Sequence, residues 1–293
     1  MATFSQSGLA TLKMVAGPLS RRSLLSVLPA ALASLSTGVI AQTLRPTPLQ
    51  IVARSGVALS GVYAGHLQGA CTNDRDAIYW SMTTSIVKTD VSGNVLRQIT
   101  VANHHGDLCH VDGKIYVAVN LALFNDPQKR SDSWIYVYDA DDLSLLKRHA
   151  VSEVVYGAGG IAFGDDRFIV VGGLPDGVGA NALYEYDDQF RLRREIVLKT
   201  GQTYKGIQTA AYDGSHWWFG CYGKPDFMEV LIRADRTFDA IGKFAFDAST
   251  GLIALDRDTF LVAKAGCGKE SCVARLVPVD LNAWVKDGTL RPL

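Results

Sequence analysis

The sequence predicts an all-β chain folded as a five-bladed β-propeller of four-stranded blades, closed by an N-terminal strand. Three observations carry that expectation. From Gln50 onward, short runs rich in β-branched and aromatic residues are broken by Asp, Gly and Asn, with no long helical period. An apolar strand closed by aspartate recurs at Asp90, Asp139, Asp187, Asp235 and Asp280, at spacings of 49, 48, 48 and 45 residues, which suits a blade of about 40–50 residues. A small-residue strand, a tight acidic turn and an apolar strand recur five times in the same order.

The small-residue strands begin near Leu67, Asp107, Gly159, Ile207 and Gly251, and small side chains suit the crowded axis of a propeller. Their apolar successors are residues 77–81, 114–117, 167–170, 216–219 and 259–262. The turns between them carry Asp74, Asp112, Asp165, Asp213 and Asp256, and aspartate forms turns by accepting nearby backbone N–H groups. Outer strands are expected over 94–101, 143–149, 191–198 and 238–246. The fifth blade has no obvious fourth strand, so residues 49–58 are read as the strand that completes it; the tail 281–293 is the alternative. Closure either way removes exposed edges. Trp80, Trp217 and Trp218 fall on second strands and are expected to pack between blades.

Residues 1–41 differ in kind. They contain no acidic residue, a Ser20-Arg21-Arg22-Ser23-Leu24-Leu25 segment, a moderately apolar run and a Val39-Ile40-Ala41 cleavage pattern. This resembles a twin-arginine export signal, implying passage through the twin-arginine machinery to a periplasmic or secreted location. A single membrane anchor is the alternative, but residues 24–40 fall short of the ~20 apolar residues that a span needs, so no span is expected after cleavage. Residues 42–293 then form the single propeller domain. Loss of Lys13, Arg21 and Arg22 leaves a net charge of about −3, against zero for the whole chain. Neither value provides a basic surface for nucleic acid.

The connections after second strands are long at 120–132, 172–181, 221–227 and 265–271, so one face of the ring is elaborated. Around its axis the sequence brings His66, Gln68, His104, His105, Asp107, Tyr156, Lys205, Gln208 and Asp247. His66 and His104 hold equivalent places in adjacent blades. With Asp107 they could ligate a divalent metal, or act as catalytic acid/base groups near neutral pH. His105 should face away from His104 in extended chain. Gln68, His105, Tyr156, Lys205, Gln208, Tyr222 and Lys224 are candidate substrate-binding residues, the lysines for a carboxylate or sulfate and the tyrosines for a sugar ring. Cys267 and Cys272 could form a local disulfide. Cys71 and Cys109 could bridge or pack as small apolar residues, which leaves Cys221 unpaired.

The His66-Leu67-Gln68-Gly69 segment, followed by a Tyr-containing strand, resembles the Gln-Gly blade starts of five-bladed glutaminyl-cyclotransferase-like propellers, over roughly residues 49–280. That resemblance implies the fold. The family's catalytic glutamate in a Gly-Glu-Gly turn has no counterpart at Gly157-Ala158-Gly159-Gly160, so cyclotransferase activity does not carry over. Two functions remain: an exported hydrolase or lyase on a carbohydrate or related polar metabolite, or a non-catalytic propeller that binds a glycan, peptide or protein on the same face.

Overall fold

The computed structural model describes residues 48–224, 230–269 and 271–281, apart from the Ile51 side chain. The export signal expected over 1–41 and almost all of the tail considered for closure lie outside them. The described chain opens with a helix, α1 (Pro48–Ser55), and two short strands, β1 (Val57–Ala58) and β2 (Tyr63–Ala64). Blade 1 is β3 (Leu67–Thr72), β4 (Ala77–Met82), β5 (Ser85–Asp90) and β6 (Val95–Thr100). Blade 2 is β7 (His105–Val111), β8 (Lys114–Asn120), β9 (Ser133–Asp139) and β10 (Leu145–Ala150). Blade 3 is β11 (Ala158–Gly164), β12 (Arg167–Gly172), β13 (Asn181–Tyr186) and β14 (Leu192–Leu198), and blade 4 is β15 (Tyr204–Tyr212), β16 (Trp217–Tyr222), β17 (Leu231–Ala234) and β18 (Ile241–Phe244). Blade 5 contains β19 (Leu252–Ala254), β20 (Phe260–Cys267) and β21 (Ser271–Val279), with β1 and β2 both paired to β21.

Within each blade, consecutive strands pair antiparallel from the axis outward. The middle strands are apolar on both faces because each face meets a different neighbouring blade. On β4, Ile78 and Trp80 pack with α1 and blade 5, whereas Tyr79 packs with Val117 and Tyr138 of blade 2. On β16, Trp217 and Phe219 face blade 3, and Trp218 faces Phe260 of blade 5. The fifth junction joins Ala118 and Ile135 of blade 2 to Phe168 and Tyr184 of blade 3. The ordinary strand alternation of side chains thus feeds two cores at once. Trp80, Trp217 and Trp218 all lie in these cores, as expected from sequence.

The aspartates act as turn formers. Asp90 Oδ1 accepts the N–H groups of Ser92 and Asn94, and Asp187 Oδ1 those of Gln189 and Arg191. Asp213 does the same for Ser215 and His216, and Asp256 for Asp258 and Thr259. Asp74, Asp112 and Asp165 instead occupy left-handed backbone positions, which aspartate tolerates better than most residues.

Two local expectations are corrected. Closure does use the N-terminal segment, but residues 48–55 are helical and the closing strand begins only at Val57. Leu49 and Val52, three residues apart, are both buried against blades 1 and 5, so a helical stripe replaces the strand-like alternation. Residues 265–271 are not a long loop. β20 and β21 continue through Cys267 and Ser271 as a hairpin, leaving 268–270 between them.

Candidate functional site

On the elaborated face, a cleft of about 420 Å³ opens between blades 2, 3 and 4. His104 enters from the start of β7. Its backbone exchanges hydrogen bonds with Asn120 at the end of β8, both 3.1 Å, and its ring lies 6.2 Å from Phe124. Burial, with a contribution from nearby His66, lowers the His104 pKa, so the imidazole is neutral at neutral pH.

Lys205 is presented by a left-handed kink at the start of β15, with φ of 60° at Lys205 and 81° at Gly206. The pairing of β15 with β16 shifts register between Tyr204 and Ile207, and Gln208 Nε2 donates to the Lys205 carbonyl at 2.9 Å. The kink turns Lys205 toward the ring of its neighbour Tyr204, 5.2 Å from Nζ. Lys224 Nζ lies 4.4 Å from the centroid of the same ring. Tyr204 pairs across the strands with Tyr222, whose phenol pKa is raised by burial and then by Asp247. Leu174, Pro175 and Asp176 of the 173–180 loop form the opposite wall. That loop is tied down where the Leu174 N–H donates to Asn125 Oδ1 at 2.7 Å.

His104, Lys205, Gln208 and Tyr222 are therefore brought together, with Lys224 over the adjoining Tyr204 ring. The remaining candidates lie elsewhere. His66 is exposed on the surface. Gln68 is buried and donates to Thr83 Oγ1 at 3.3 Å. Tyr156 lines a separate groove across the 173–180 loop. Asp247 holds its own turn through Ser249.

His105 and Asp107 require correction as ligand-facing residues. His105 is fully buried, with both ring nitrogens engaged at 2.7 Å to the Ala102 carbonyl and 2.8 Å to the Tyr138 hydroxyl. A carbonyl can only accept, so Nδ1 carries the proton and Nε2 accepts from Tyr138. Burial lowers its pKa to about 4.

Asp107 points into the ring rather than the cleft. Its Oδ2 accepts the Ala210 N–H at 3.0 Å, and its Oδ1 is buried without a hydrogen-bond partner. His66, His104 and Asp107 do not converge as metal ligands, and no group of three or more His, Cys, Asp or Glu placed to hold a metal occurs among the described residues. Asp107, expected to act beside the histidines in catalysis or in positioning substrate, is held inside the ring instead by its bond to Ala210, where β7 pairs irregularly with β8 between His105 and Leu108.

Phe124, Asp176 and Tyr204 were not singled out by sequence. Tyr204 is marked in the sequence only by its place beside Lys205. Phe124 and Asp176 sit in irregular loops, where no periodicity assigns a direction.

Among the cysteines, Cys267 and Cys272 are joined as a disulfide, while Cys71, Cys109 and Cys221 are free. Cys71 and Cys109 pack as neighbours on adjacent inner strands without bridging. Burial pushes the Cys221 thiol up to about 12, which leaves it unreactive at neutral pH.

Ring closure, five blades and the axial cleft define the chain as a β-propeller with an elaborated face. No protein-family profile matches the chain, and no curated protein matches it in sequence. Similar solved structures include the Pan2 WD40 domain of Neurospora crassa, at 9% identity and a TM-score of 0.40, covering 64% of this chain and 55% of that one. A Bacteroides caccae protein of unknown function aligns at 13% identity and a TM-score of 0.49, covering 79% of this chain and 85% of its own. Saccharomyces cerevisiae Sqt1 aligns at 13% identity and a TM-score of 0.36, covering 70% and 55% respectively. The chain thus spans about half the length of the Pan2 and Sqt1 structures.

Proposed function

We propose that this chain is an exported binding propeller whose cleft takes a small polar ligand bearing an anionic group, such as a sugar acid. The observation that carries this reading is the approach of Lys205 and Lys224 to one aromatic ring, Tyr204, beside a neutral imidazole and a second tyrosine. One ammonium group, Lys205, lines the cleft together with one carboxylate, Asp176, and Lys224 lies over the Tyr204 ring at its edge. Paired tyrosines offer flat surface to a ring, and the cleft volume falls within the ~300–1,000 Å³ usual for ligand pockets. Titration calorimetry with glucuronate, glucose and inorganic phosphate tests it. Glucuronate should bind at least tenfold more tightly than glucose, and Lys205→Ala should remove most of that difference. Equal affinity for the acid and the neutral sugar would overturn the anionic preference.

A catalytic reading, hydrolysis or elimination on a polar metabolite, draws support from His104 alone, since its neutral imidazole can accept a proton. Binding is favoured over it because Asp107, the carboxylate expected to assist, is occupied inside the ring. Turnover that disappears in His104→Ala with the fold intact would reverse the order.

Export is supported by the leader pattern of residues 1–41 and by the Cys267–Cys272 disulfide. No helix among the described residues is long and apolar enough to cross a membrane. Replacement of Arg21 and Arg22 by lysine should leave the full-length chain in the cytoplasm of a bacterial host; unchanged export would rule out the twin-arginine route. The glutaminyl-cyclotransferase-like resemblance contributes blade grammar to this reading and no chemistry.

A further inference from the structure

The 173–180 loop that walls the cleft has another side. A groove of about 490 Å³ lies there over blade 3, and Leu174 lines both spaces. Tyr184 of β13 forms part of its wall with Glu195 of β14, its cross-strand partner. The β10–β11 connection adds Tyr156 and Glu153. Tyr184 is buried, whereas both glutamates are exposed. Glu153 accepts the Tyr186 hydroxyl at 3.1 Å, but among the described residues neither glutamate is ion-paired with lysine or arginine.

The groove already accommodates one cation of this chain. Lys129 lines it, with Nζ 5.8 Å from the centroid of the Tyr156 ring, within the range over which an aromatic face attracts an ammonium. The field in the groove has the matching sign. Burial raises the Tyr184 phenol pKa, and Glu195, Tyr156 and Glu153 raise it further. Val178 and Val197 supply apolar wall, against which a methylene stem can lie while its charged head meets the carboxylates.

We propose that this groove is a binding site for a primary alkylammonium group, with the ammonium between Glu195 and Glu153 and its stem against Tyr184 and the two valines. Such a group is carried both by a lysine side chain of a peptide and by a free polyamine, and the groove recognises what they share. The site is independent of the ligand taken by the axial cleft.

The test is a titration of the full propeller, by calorimetry or amide chemical shifts, with three probes: Nα-acetyl-lysine methylamide, its norleucine analogue and putrescine. The lysine probe should bind at least tenfold more tightly than the isosteric norleucine probe. Glu195→Gln and Glu153→Gln should each weaken it at least threefold, Lys129→Ala should strengthen it, and Lys205→Ala in the cleft should leave it unchanged. Tighter binding of putrescine would support the site and assign its source to polyamines, whereas tighter binding of the lysine probe would support it and assign the source to peptides. Equal binding of lysine and norleucine probes, or insensitivity to both glutamate substitutions, would overturn the proposal. Both glutamates are exposed, so these variants retain the fold.

Discussion

Asp107 of blade 2 reaches across the ring to the backbone N–H of Ala210 on blade 4, at 3.0 Å, linking two blades that are not neighbours in the circle. Burial raises its pKa well above the ordinary carboxylate value, against the opposing effect of backbone hydrogen bonds from Ala210 and Leu108. Below that ordinary value, folded and unfolded chains both hold the proton and no penalty exists. As pH rises, the unfolded chain releases its proton while Asp107 keeps it, so stability falls until the folded carboxyl ionises. Asp107→Asn should therefore gain stability relative to the parent as pH rises above about 4, as read from urea midpoints. A difference independent of pH would mean that Asp107 is ionised in the fold.

The same carboxyl fills the space above Gly69. A Cβ there would stand 2.1 Å from Asp107 Oδ1 and 2.6 Å from Asp107 Cα. Gly69→Ala should prevent the ring from closing, and Asp107→Asn should not rescue it because the Cα clash persists. Native near-ultraviolet circular dichroism of the double variant would contradict this.

His105 produces the opposite dependence. Its pKa falls from the model-compound value of 6.5 to about 4 in the fold. Its contribution is complete above pH 6.5 and is lost as pH falls toward 4, because the unfolded chain takes up the proton first. The shift corresponds to about 3 kcal/mol. Relative to His105→Phe, the parent should lose stability over that interval, and equilibrium unfolding at pH 7 and pH 4.5 would show it.

Trp217 and Trp218 are adjacent but serve different junctions. Trp218 Nε1 donates to Asp213 Oδ2 at 2.7 Å, whereas Trp217 Nε1 has no hydrogen-bond partner. Trp218→Phe should therefore cost about 1–3 kcal/mol more than Trp217→Phe, since it strips a donor from a buried carboxylate. Thermal unfolding of the two variants side by side would show equal losses if the indole hydrogen bond contributed nothing.

Reduction of Cys267–Cys272 should have a modest effect. The bridge closes a very short loop, and loops of that size account for about 2 kcal/mol in the chain-entropy description. Thermal unfolding with and without reductant should differ by several degrees at most.

The blade repeat was legible because turn chemistry and two-sided burial both leave periodic marks. Asp90, Asp139, Asp187 and Asp235 sit at equivalent turns and satisfy nearby backbone donors, so their spacing reports architecture directly. The site was legible only in part. His104 and Lys205 are marked by their place at the entry of inner strands, but the same mark on Asp107 does not tell cleft from ring interior, and its carboxyl turns to the Ala210 N–H of blade 4. The start of the described chain misled for a related reason. In 49–52 the apolar residues fit both a period of two and a helical stripe, and the buried pair of Leu49 and Val52 shows that packing against blades 1 and 5 selected the latter.

Blade 5 is assembled from residues at opposite ends of the described chain, Val57 beside Leu276 and Tyr63 beside Cys272. These pairings span 219 and 209 residues and are the costliest in loop entropy, which places them late in folding. A chain still emerging from the ribosome can stack blades 1 to 4 yet must carry β1 and β2 without a partner until β21 is synthesised. Truncation before Ser271 should convert the molecule from a closed ring into an open stack with adhesive ends, and its failure would appear as aggregation during synthesis rather than as a lower melting temperature.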